Sequence, residues 1–301
     1  MGVLKKLANA IYNEVKYNYI PYLFVLPALS VIFIFTVLPA IYALQMSFYD
    51  WYVLGGSKFI GLENYSNLIS MPGLVDSVKN TLFFAILFGV GTLMVSLLLA
   101  VLLNEAIRGR SWFRVIYYLP VVCSAVAISL IWKWMYWPTM AGLLNTLIAK
   151  FGLQPQNWLG DPRLALPAIA VMLVWKNMGY YMIIFLAGLQ AIPAEIYEAA
   201  TVDGARKWAA FRYITLPLLK PTTMLVSILL TIHALQIFAE VYVMTGGGPA
   251  NKTLTIGFYM YKMGFEQGIF GFVAAVAYVL FAATLAFTIM QRKLFGQEVA
   301  Y

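Results

Sequence analysis

The sequence predicts an all-α, polytopic membrane protein with six transmembrane helices, and both composition and segment length support this fold class. Apolar residues fill 62% of the 301 positions, charged residues fill 11%, and the mean hydropathy is +0.82. Soluble domains carry about 25% charged residues, so this chain lacks the charge to cover a surface that faces water. A helix that crosses the hydrocarbon core needs about 20 mostly apolar residues, and six segments meet that requirement.

The six predicted spans are separated by more polar connections. They cover residues 22–48, 81–103, 113–135, 165–189, 222–244 and 269–290. The first span contains Pro27 and Pro39, and the third contains Pro120. Membrane helices tolerate such prolines where neighbouring groups satisfy the freed carbonyls, so each of these segments is expected to be one span.

Lysine and arginine determine the predicted orientation. If the N-terminus is cytoplasmic, twelve of these residues fall in cytoplasmic segments, six fall in external loops, and Lys133 and Lys176 fall within spans. Because basic residues accumulate on the cytoplasmic side, we expect a protein of the cytoplasmic (inner) membrane with both termini in the cytoplasm. The net charge of +8 is then explained by topology, and no nucleic-acid partner is predicted.

Residues 1–19 precede the first span and have a helical pattern of their own. Leu4, Leu7, Ile11 and Val15 recur at helical spacing, with lysines on other faces. This pattern predicts a short amphipathic helix on the inner membrane surface, in contact with lipid. An ordinary frayed terminus is the alternative. The rest of the chain, from residue 20 to 301, is expected to form one six-span domain.

The connection between the fourth and fifth spans, residues 190–221, is the most polar cytoplasmic segment. Pro193 suits the first turn of a helix, and residues 194–202 can continue it. Gly204 interrupts the segment as a glycine does at a helix C-cap, and residues 205–213 can form a second short helix. The segment therefore predicts a helix–turn–helix hairpin that protrudes into the cytoplasm, where lipid headgroups or a protein partner would cover its apolar side.

The hairpin also carries a motif of eleven positions. They are Glu198, Ala199, Ala200, Asp203, Gly204, Ala205, Phe211, Ile214, Leu216, Pro217 and Pro221. This pattern resembles the EAA signature of ABC importer permeases, whose coupling helix sits in a cleft of the ATPase subunit. The resemblance implies that the first seven positions couple the chain to an ATPase. In particular, Glu198 would meet a basic residue of the ATPase and Gly204 would make the turn. Ala199 and Ala200 would provide a close-packed surface.

Three other stretches are similar to the sugar branch of that family, the permeases for maltose, other oligosaccharides and glycerol phosphate. These stretches are 59–65 (FIGLENY), 188–193 (GLQAIP) and 245–249 (TGGGP). The resemblance implies the six-span transmembrane domain of a type I ABC importer. It also implies four kinds of partner: a second homologous permease, two ABC ATPase subunits, an extracytoplasmic solute-binding protein and a saccharide substrate. ATP and Mg²⁺ would bind the ATPases, and this chain would bind no cofactor.

Polar residues at bilayer depth suggest where a substrate passes, because they are costly there and mark functional sites by default. The fourth and fifth spans each carry a polar and aromatic stripe. The candidates are Trp175, Lys176, Asn177, Gly179, Tyr180 and Tyr181 in the fourth span, and His233, Gln236 and Glu240 in the fifth. Aromatic faces together with amide and charged groups suit a sugar, which has apolar CH faces and a ring of hydroxyls.

Several alternatives stay open for these residues. Lys176 could pair with Glu240 or with a carbonyl and never contact substrate, and His233 could equally bridge two helices. Glu240 could simply pair with a lysine. The sugar could be a neutral oligosaccharide or an anionic derivative such as a uronate oligosaccharide or a glycerol phosphate.

Missing motifs bear on the competing function classes. The sequence has no glycine-rich phosphate loop followed by Lys-Ser/Thr, so ATP binding by this chain is not expected. One histidine and one cysteine make no metal set, and no paired base and nucleophile suggests a membrane enzyme. A secondary transporter would show internal repeats with broken helices, and we find no clear repeat. The leading prediction is therefore a transport subunit that is not itself an enzyme.

Overall fold

The computed structural model describes residues 19–52, 56–105 and 108–295. In chain order its helices are α1 (Tyr19–Ile32), α2 (Leu38–Met46), α3 (Glu63–Ser66), α4 (Leu74–Asn104), α5 (Arg110–Val122), α6 (Ala125–Met135), α7 (Leu143–Ala149), α8 (Ala165–Gln190), α9 (Ala194–Val202), α10 (Lys207–Ala210), α11 (Leu216–Leu218), α12 (Lys220–Leu235), α13 (Ala239–Met244), α14 (Ile256–Tyr261) and α15 (Phe270–Phe295). Segments Phe33–Val37, Phe211–Thr215 and Lys262–Glu266 are π-helical. The amphipathic helix predicted for residues 1–19 lies outside the described residues, except for Tyr19.

The mostly helical fold class is confirmed, and so is the number of spans when bent helices are counted as pairs. Four helical segments are long and apolar enough to cross a membrane: Pro21–Met46, Leu74–Asn104, Ala165–Gln190 and Phe270–Lys293. Two further helix pairs meet the same criterion together but bend by 98° and 65°. Counting each pair as one span gives six.

An antiparallel hairpin is the exception to the all-α prediction. Strand β1 (Tyr49–Tyr52) pairs with β2 (Gly56–Phe59) in the connection that follows the first span. The alternation of Tyr49 and Trp51 along β1 is too short to distinguish a strand from an aromatic loop by pattern alone. The hairpin is therefore a local addition to the predicted helical fold.

The third predicted span is not one straight helix. Helix α5 ends at Val122, and α6 begins at Ala125 after a bend of 98°. Pro120 lacks an N–H and cannot donate to the preceding turn, and Cys123 and Ser124 both have extended ψ angles, of 146° and 136°. The predicted span over 113–135 is therefore present as two helices, with a break at Cys123 and Ser124 that the sequence analysis did not expect.

The chain divides into two compact units, the first of which contains the described residues up to Ser66 together with Gly268–Tyr278. Within it, the Asn64 amide donates to the carbonyls of Ser47 (2.9 Å) and Tyr49 (3.0 Å). The Tyr278 hydroxyl donates to the carbonyl of Ala40. The Asn64 bonds tie α3 to the end of the first span and to the β-hairpin, and the Tyr278 bond ties α15 to α2.

The second unit, Asn67–Gln267 with the chain from Val279 onward, holds the remaining helices. Helix α8 has the largest buried share of the four long helices: 61% of its most apolar stretch lies inside the protein, against 28% for α4. It packs against α4, α5 and α12. The contact with α5 is made at Gly179, where a Cβ atom would overlap the backbone of Tyr117. Helix α8 is therefore the centre of this unit.

We expect Gly179→Ala to lower the thermal stability of the purified protein, because an added methyl group would collide with the backbone of α5. Overpacking of this kind costs about 1–3 kcal/mol. The matched control is Gly89→Ala in α4, where nothing lies within 4 Å of an added Cβ. The control variant should keep its melting temperature. Equal melting temperatures for all three proteins would contradict this close contact.

Candidate functional site

The fifth predicted span is interrupted within the candidate pathway. Helix α12 ends at Leu235, residues 236–238 are not helical, and α13 starts at Ala239. The predicted single helix over 222–244 was therefore wrong, and with it the assumption that Gln236 and Glu240 share one continuous helical face with His233. The carbonyl of Ile237, which the break leaves free, accepts a hydrogen bond from the Thr255 hydroxyl at 3.2 Å.

A buried ion pair joins α8 to α13. The Lys176 ammonium lies 3.5 Å from Oε1 of Glu240, and the two side chains are 11% and 8% exposed. A lysine at membrane depth costs on the order of 3 kcal/mol unless it finds a partner. The structure thus places Lys176 and Glu240 together, and the pairing that the sequence left as an alternative is the one observed.

A second lysine holds the other end of α13. The Lys133 ammonium of α6 donates to the carbonyl of Val243 at 3.1 Å. Carbonyls in the last turn of a helix lack helical partners and attract cations. Helix α13 is therefore fixed by Glu240 at its start and by Val243 at its end. The sequence indicated no partner for Lys133, because 110 residues separate it from Val243.

Four candidates of the predicted pathway are accessible to some degree. The Trp175 ring is 36% exposed and packs 5.4 Å from Trp132, and Tyr180 is 39% exposed. Gln236 is exposed at the end of α12. The half-buried His233 contacts the Phe88 ring edge-on at 5.2 Å and lies within electrostatic range of both Lys176 and Glu240. These residues could meet a ligand without a rearrangement of the core.

The other three candidates have structural partners. The Asn177 amide donates to the carbonyl of Leu173, one turn earlier in its own helix, at 2.9 Å. Tyr181 is 3% exposed, and Gly179 is buried against α5. Asn177, Gly179 and Tyr181 are therefore buried, and their observed contacts are with the surrounding protein.

The predicted helix–turn–helix hairpin is present, and a glycine forms its turn as expected. Helix α9 spans Ala194–Val202 as predicted, and Gly204 adopts a left-handed φ of +77°. The Gly204 amide donates to the Thr201 carbonyl (3.0 Å), and the Ala205 amide donates to the Ala200 carbonyl (2.9 Å). This is the Schellman pattern, which needs a residue that tolerates positive φ. The second helix is shorter than predicted: α10 covers Lys207–Ala210 and continues as a π-helical segment from Phe211.

The motif side chains of α9 point away from the protein. Glu198 and Ala199 are exposed, and Ala200 is half-buried. Asp203 and Gly204 at the turn are also exposed, whereas Ala205 and Phe211 are half-buried. The hairpin thus presents a short acidic and small-residue surface that no described residue of this chain covers.

Two contacts attach the hairpin to the helices beside it. The hydroxyls of Tyr197 and Thr215 lie 3.0 Å apart. The Lys207 ammonium lies 2.8 Å from Oε1 of Glu105, which follows α4. Hydrogen bonding to Lys207 lowers the pKa of Glu105, and the same bond raises the pKa of Lys207. This exposed pair is lost only as pH falls through the lowered pKa of Glu105 or rises through the raised pKa of Lys207, so it is intact at neutral pH.

A largely apolar groove of about 840 Å³ lies between the hairpin and the last turns of α4 and α8. Its lining includes Leu98, Val101, Tyr197, Trp208 and Phe211. Among the described residues, no group of three or more His, Cys, Asp or Glu side chains could hold a metal ion.

Comparison with known proteins identifies relatives over nearly the whole chain. Residues 93–295 match the family described as Binding-protein-dependent transport system inner membrane component. A probable ABC transporter permease protein of Pyrococcus horikoshii is 40% identical over 88% of this chain and 92% of its own length. The trehalose/maltose transport system permease protein MalF of Thermococcus litoralis is 36% identical over 94% of both chains.

A solved structure has the same fold. It is a crystal structure of a bacterial alginate ABC transporter in complex with an alginate pentasaccharide-bound periplasmic protein. One of its chains matches with a TM-score of 0.82 and 25% sequence identity, over 94% of this chain and 96% of that chain.

We expect Lys176→Met to destabilise the protein by about 3 kcal/mol, because it leaves Glu240 buried without a cation. The double variant Lys176→Met/Glu240→Leu should recover most of the loss, since apolar replacement of a whole buried pair is often close to neutral. Thermal unfolding of the two variants in detergent measures the difference. A double variant no more stable than Lys176→Met would contradict the pairing.

Proposed function

The chain belongs to the family of binding-protein-dependent transport system inner membrane components, and from this we propose that it is the permease subunit of an ATP-driven sugar importer. It is a multi-pass protein of the inner membrane. Permeases of this family provide the passage, and separate ATPase subunits hydrolyse ATP. Family membership also argues against two other function classes that the sequence analysis considered, a secondary transporter and a membrane enzyme.

The hairpin of α9 and α10 is the observation that carries the proposal. Its EAA motif lies on an exposed helix that ends in a Schellman turn at Gly204. An exposed surface of small residues with two motif acids, Glu198 and Asp203, suits insertion into a cleft with a basic rim. We infer that this surface docks on an ABC ATPase in the cytoplasm. That assignment places both chain termini on the cytoplasmic side.

The remaining partners follow from the family and its relatives. A second homologous permease, two ATPase subunits that bind ATP and Mg²⁺, and an extracytoplasmic solute-binding protein would complete the transporter. The alginate transporter was solved with a saccharide-loaded periplasmic protein, which supports the same arrangement here. In alternating access, ATP binding to the ATPases drives the hairpin, and the spans then open toward the external face. ATP can do this only if it binds the two states with different affinity.

The proposed substrate is a saccharide that passes Lys176 and Glu240 near the middle of the membrane. Trp175, Tyr180, His233 and Gln236 would offer ring faces and hydrogen bonds to it. Lys176 already faces a carboxylate at 3.5 Å, so its charge is balanced within the protein. This balance favours a neutral oligosaccharide over a uronate oligosaccharide or a glycerol phosphate, which would need an unmatched cation.

Purification of the tagged chain from its native membrane in mild detergent tests the importer assignment. We expect an ABC ATPase and a second permease with an EAA motif to accompany the chain in stoichiometric amounts, as identified by mass spectrometry. If the chain is recovered alone or as a homo-oligomer, the assignment of the hairpin as an ATPase docking site is rejected.

We expect Gly204→Pro to abolish sugar uptake while leaving the amount of inserted protein unchanged. Proline cannot adopt the φ of +77°, and it would also remove the amide that bonds to Thr201. The matched control is Gly152→Pro, since Gly152 has a φ of +75° and donates a similar turn bond to Ala149. Normal uptake by Gly204→Pro, measured with labelled sugar in whole cells, would exclude a coupling role for the turn.

A further inference from the structure

Five aromatic rings form a continuous cluster on the segment from Phe238 to Phe265, which includes the helix that carries Glu240. They are Phe238, Tyr242, Phe258, Tyr261 and Phe265. Phe238 and Tyr242 stack at 5.7 Å, and Tyr261 and Phe265 stack at 5.4 Å. Tyr242 and Tyr261 meet edge-on at 5.4 Å and join the two stacks. This cluster, the aromatic platform, plays no part in the pathway described above.

The platform has a buried base and an accessible top. Phe258 is 3% exposed and contacts three of the other rings. Tyr242 is 49% exposed, Phe265 is 74% exposed, and Tyr261 is half-buried. Large exposed aromatic surfaces mark binding sites more often than chance, so the accessible rings are candidates for a ligand.

The segment that carries the platform is held rigidly. The Asn80 amide of α4 donates to the carbonyls of Asn251 (2.7 Å) and Leu254 (3.0 Å). The hydroxyl of Thr81 accepts the Ile256 amide at 2.9 Å. These bonds fix the start of α14, and rings on a fixed backbone lose little conformational entropy when a ligand binds.

Two features distinguish this surface from one that faces lipid. Lys262 and Glu266 lie on the same turn of helix as Tyr261 and Phe265, and charged side chains are costly within hydrocarbon. The rings also include two tyrosines, Tyr242 and Tyr261, whose rings meet edge-on and which each carry a hydroxyl group. The surface combines ring faces with hydroxyl groups and borders water.

We propose that the aromatic platform is a saccharide-binding subsite through which the sugar passes before it reaches the Lys176–Glu240 pair. Apolar CH faces of a sugar ring would stack on Tyr261 and Phe265, and the tyrosine hydroxyls would bond to sugar hydroxyls. Tyr242 and Glu240 share the six-residue helix α13, so the platform lies beside the ion pair. In the proposed topology this span runs toward the external face, and Tyr242 is then on the external side of Glu240. This inference rests on the proposed function, since it assumes that the transported substrate is a saccharide.

The test uses the whole transporter, purified from its native membrane, reconstituted in proteoliposomes and supplied with its binding protein. The probes are labelled maltotriose, lactose and trehalose. Tyr261→Leu and Phe265→Leu remove one ring each, and Tyr261→Phe keeps the ring. The matched control is Phe151→Leu, which changes a ring that is 83% exposed outside the platform.

We expect each ring deletion to lower the number of sugar molecules moved per ATP hydrolysed by about two- to tenfold. One aromatic contact is worth about 0.5–1.5 kcal/mol, and 1.4 kcal/mol corresponds to tenfold. Stimulation of ATP hydrolysis by the loaded binding protein should not change, because the platform would act on the sugar alone. Tyr261→Phe should lose no more than about twofold, and Phe151→Leu should behave like the wild type.

The other outcomes separate the inference from the proposed function. If ring deletions leave the ratio of sugar to ATP unchanged, the subsite is rejected and the importer assignment stands. If they lower transport and ATP hydrolysis in parallel, or reduce the amount of assembled complex, the platform is an interface for the binding protein or the second permease and the subsite is again rejected. If the wild-type complex forms with an ATPase but moves none of the probes, the saccharide substrate and the subsite fail together.

Discussion

Every backbone N–H and C=O group at membrane depth must be satisfied within the protein, and this constraint explains where the chain is continuous and where it breaks. Helices α4 and α8 satisfy it by themselves over Leu74–Asn104 and Ala165–Gln190. Within the fifth span, the break after α12 lies where Thr255 donates to the freed carbonyl of Ile237. Irregular backbone is tolerated in membranes where such partners exist or where it lines a cavity, so the break is a built feature of the fold.

The interruption also affects which charged side chains meet in the candidate pathway. A continuous helix would carry Glu240 on a fixed face, whereas the short α13 lets it meet Lys176 at 3.5 Å. The Lys133 contact to Val243 then holds the far end of α13. Each lysine thus finds a polar partner within the protein, and together they hold α13 in place. A helix of six residues is too short to be stable by itself.

Sequence patterns predicted the features that depend on local chemistry. The bounds of α8 and α9 and the turn at Gly204 follow from hydropathy, from Pro193 and from the need for a positive φ. The break at Ile237 was not predictable, because no proline or glycine marks it and the Thr255 hydroxyl that satisfies its carbonyl lies 18 residues later. The burial of Asn177 and Tyr181 likewise depends on which neighbours α8 acquires. For the site, residue types could be predicted, but their pairing required the tertiary structure.

The chain order of these elements links the two parts of the proposed mechanism. Helix α8, which carries Lys176, leads into α9 after three residues, and α12, which carries His233, follows the same hairpin. In the proposed mechanism, a displacement of α9 would therefore act on both helices of the candidate pathway. Because α8 is packed on several sides and α5 meets its backbone at Gly179, it transmits force as a rigid body. Under the proposed function, α8 and α12 would then be the direct covalent links between the docking hairpin and the sugar pathway.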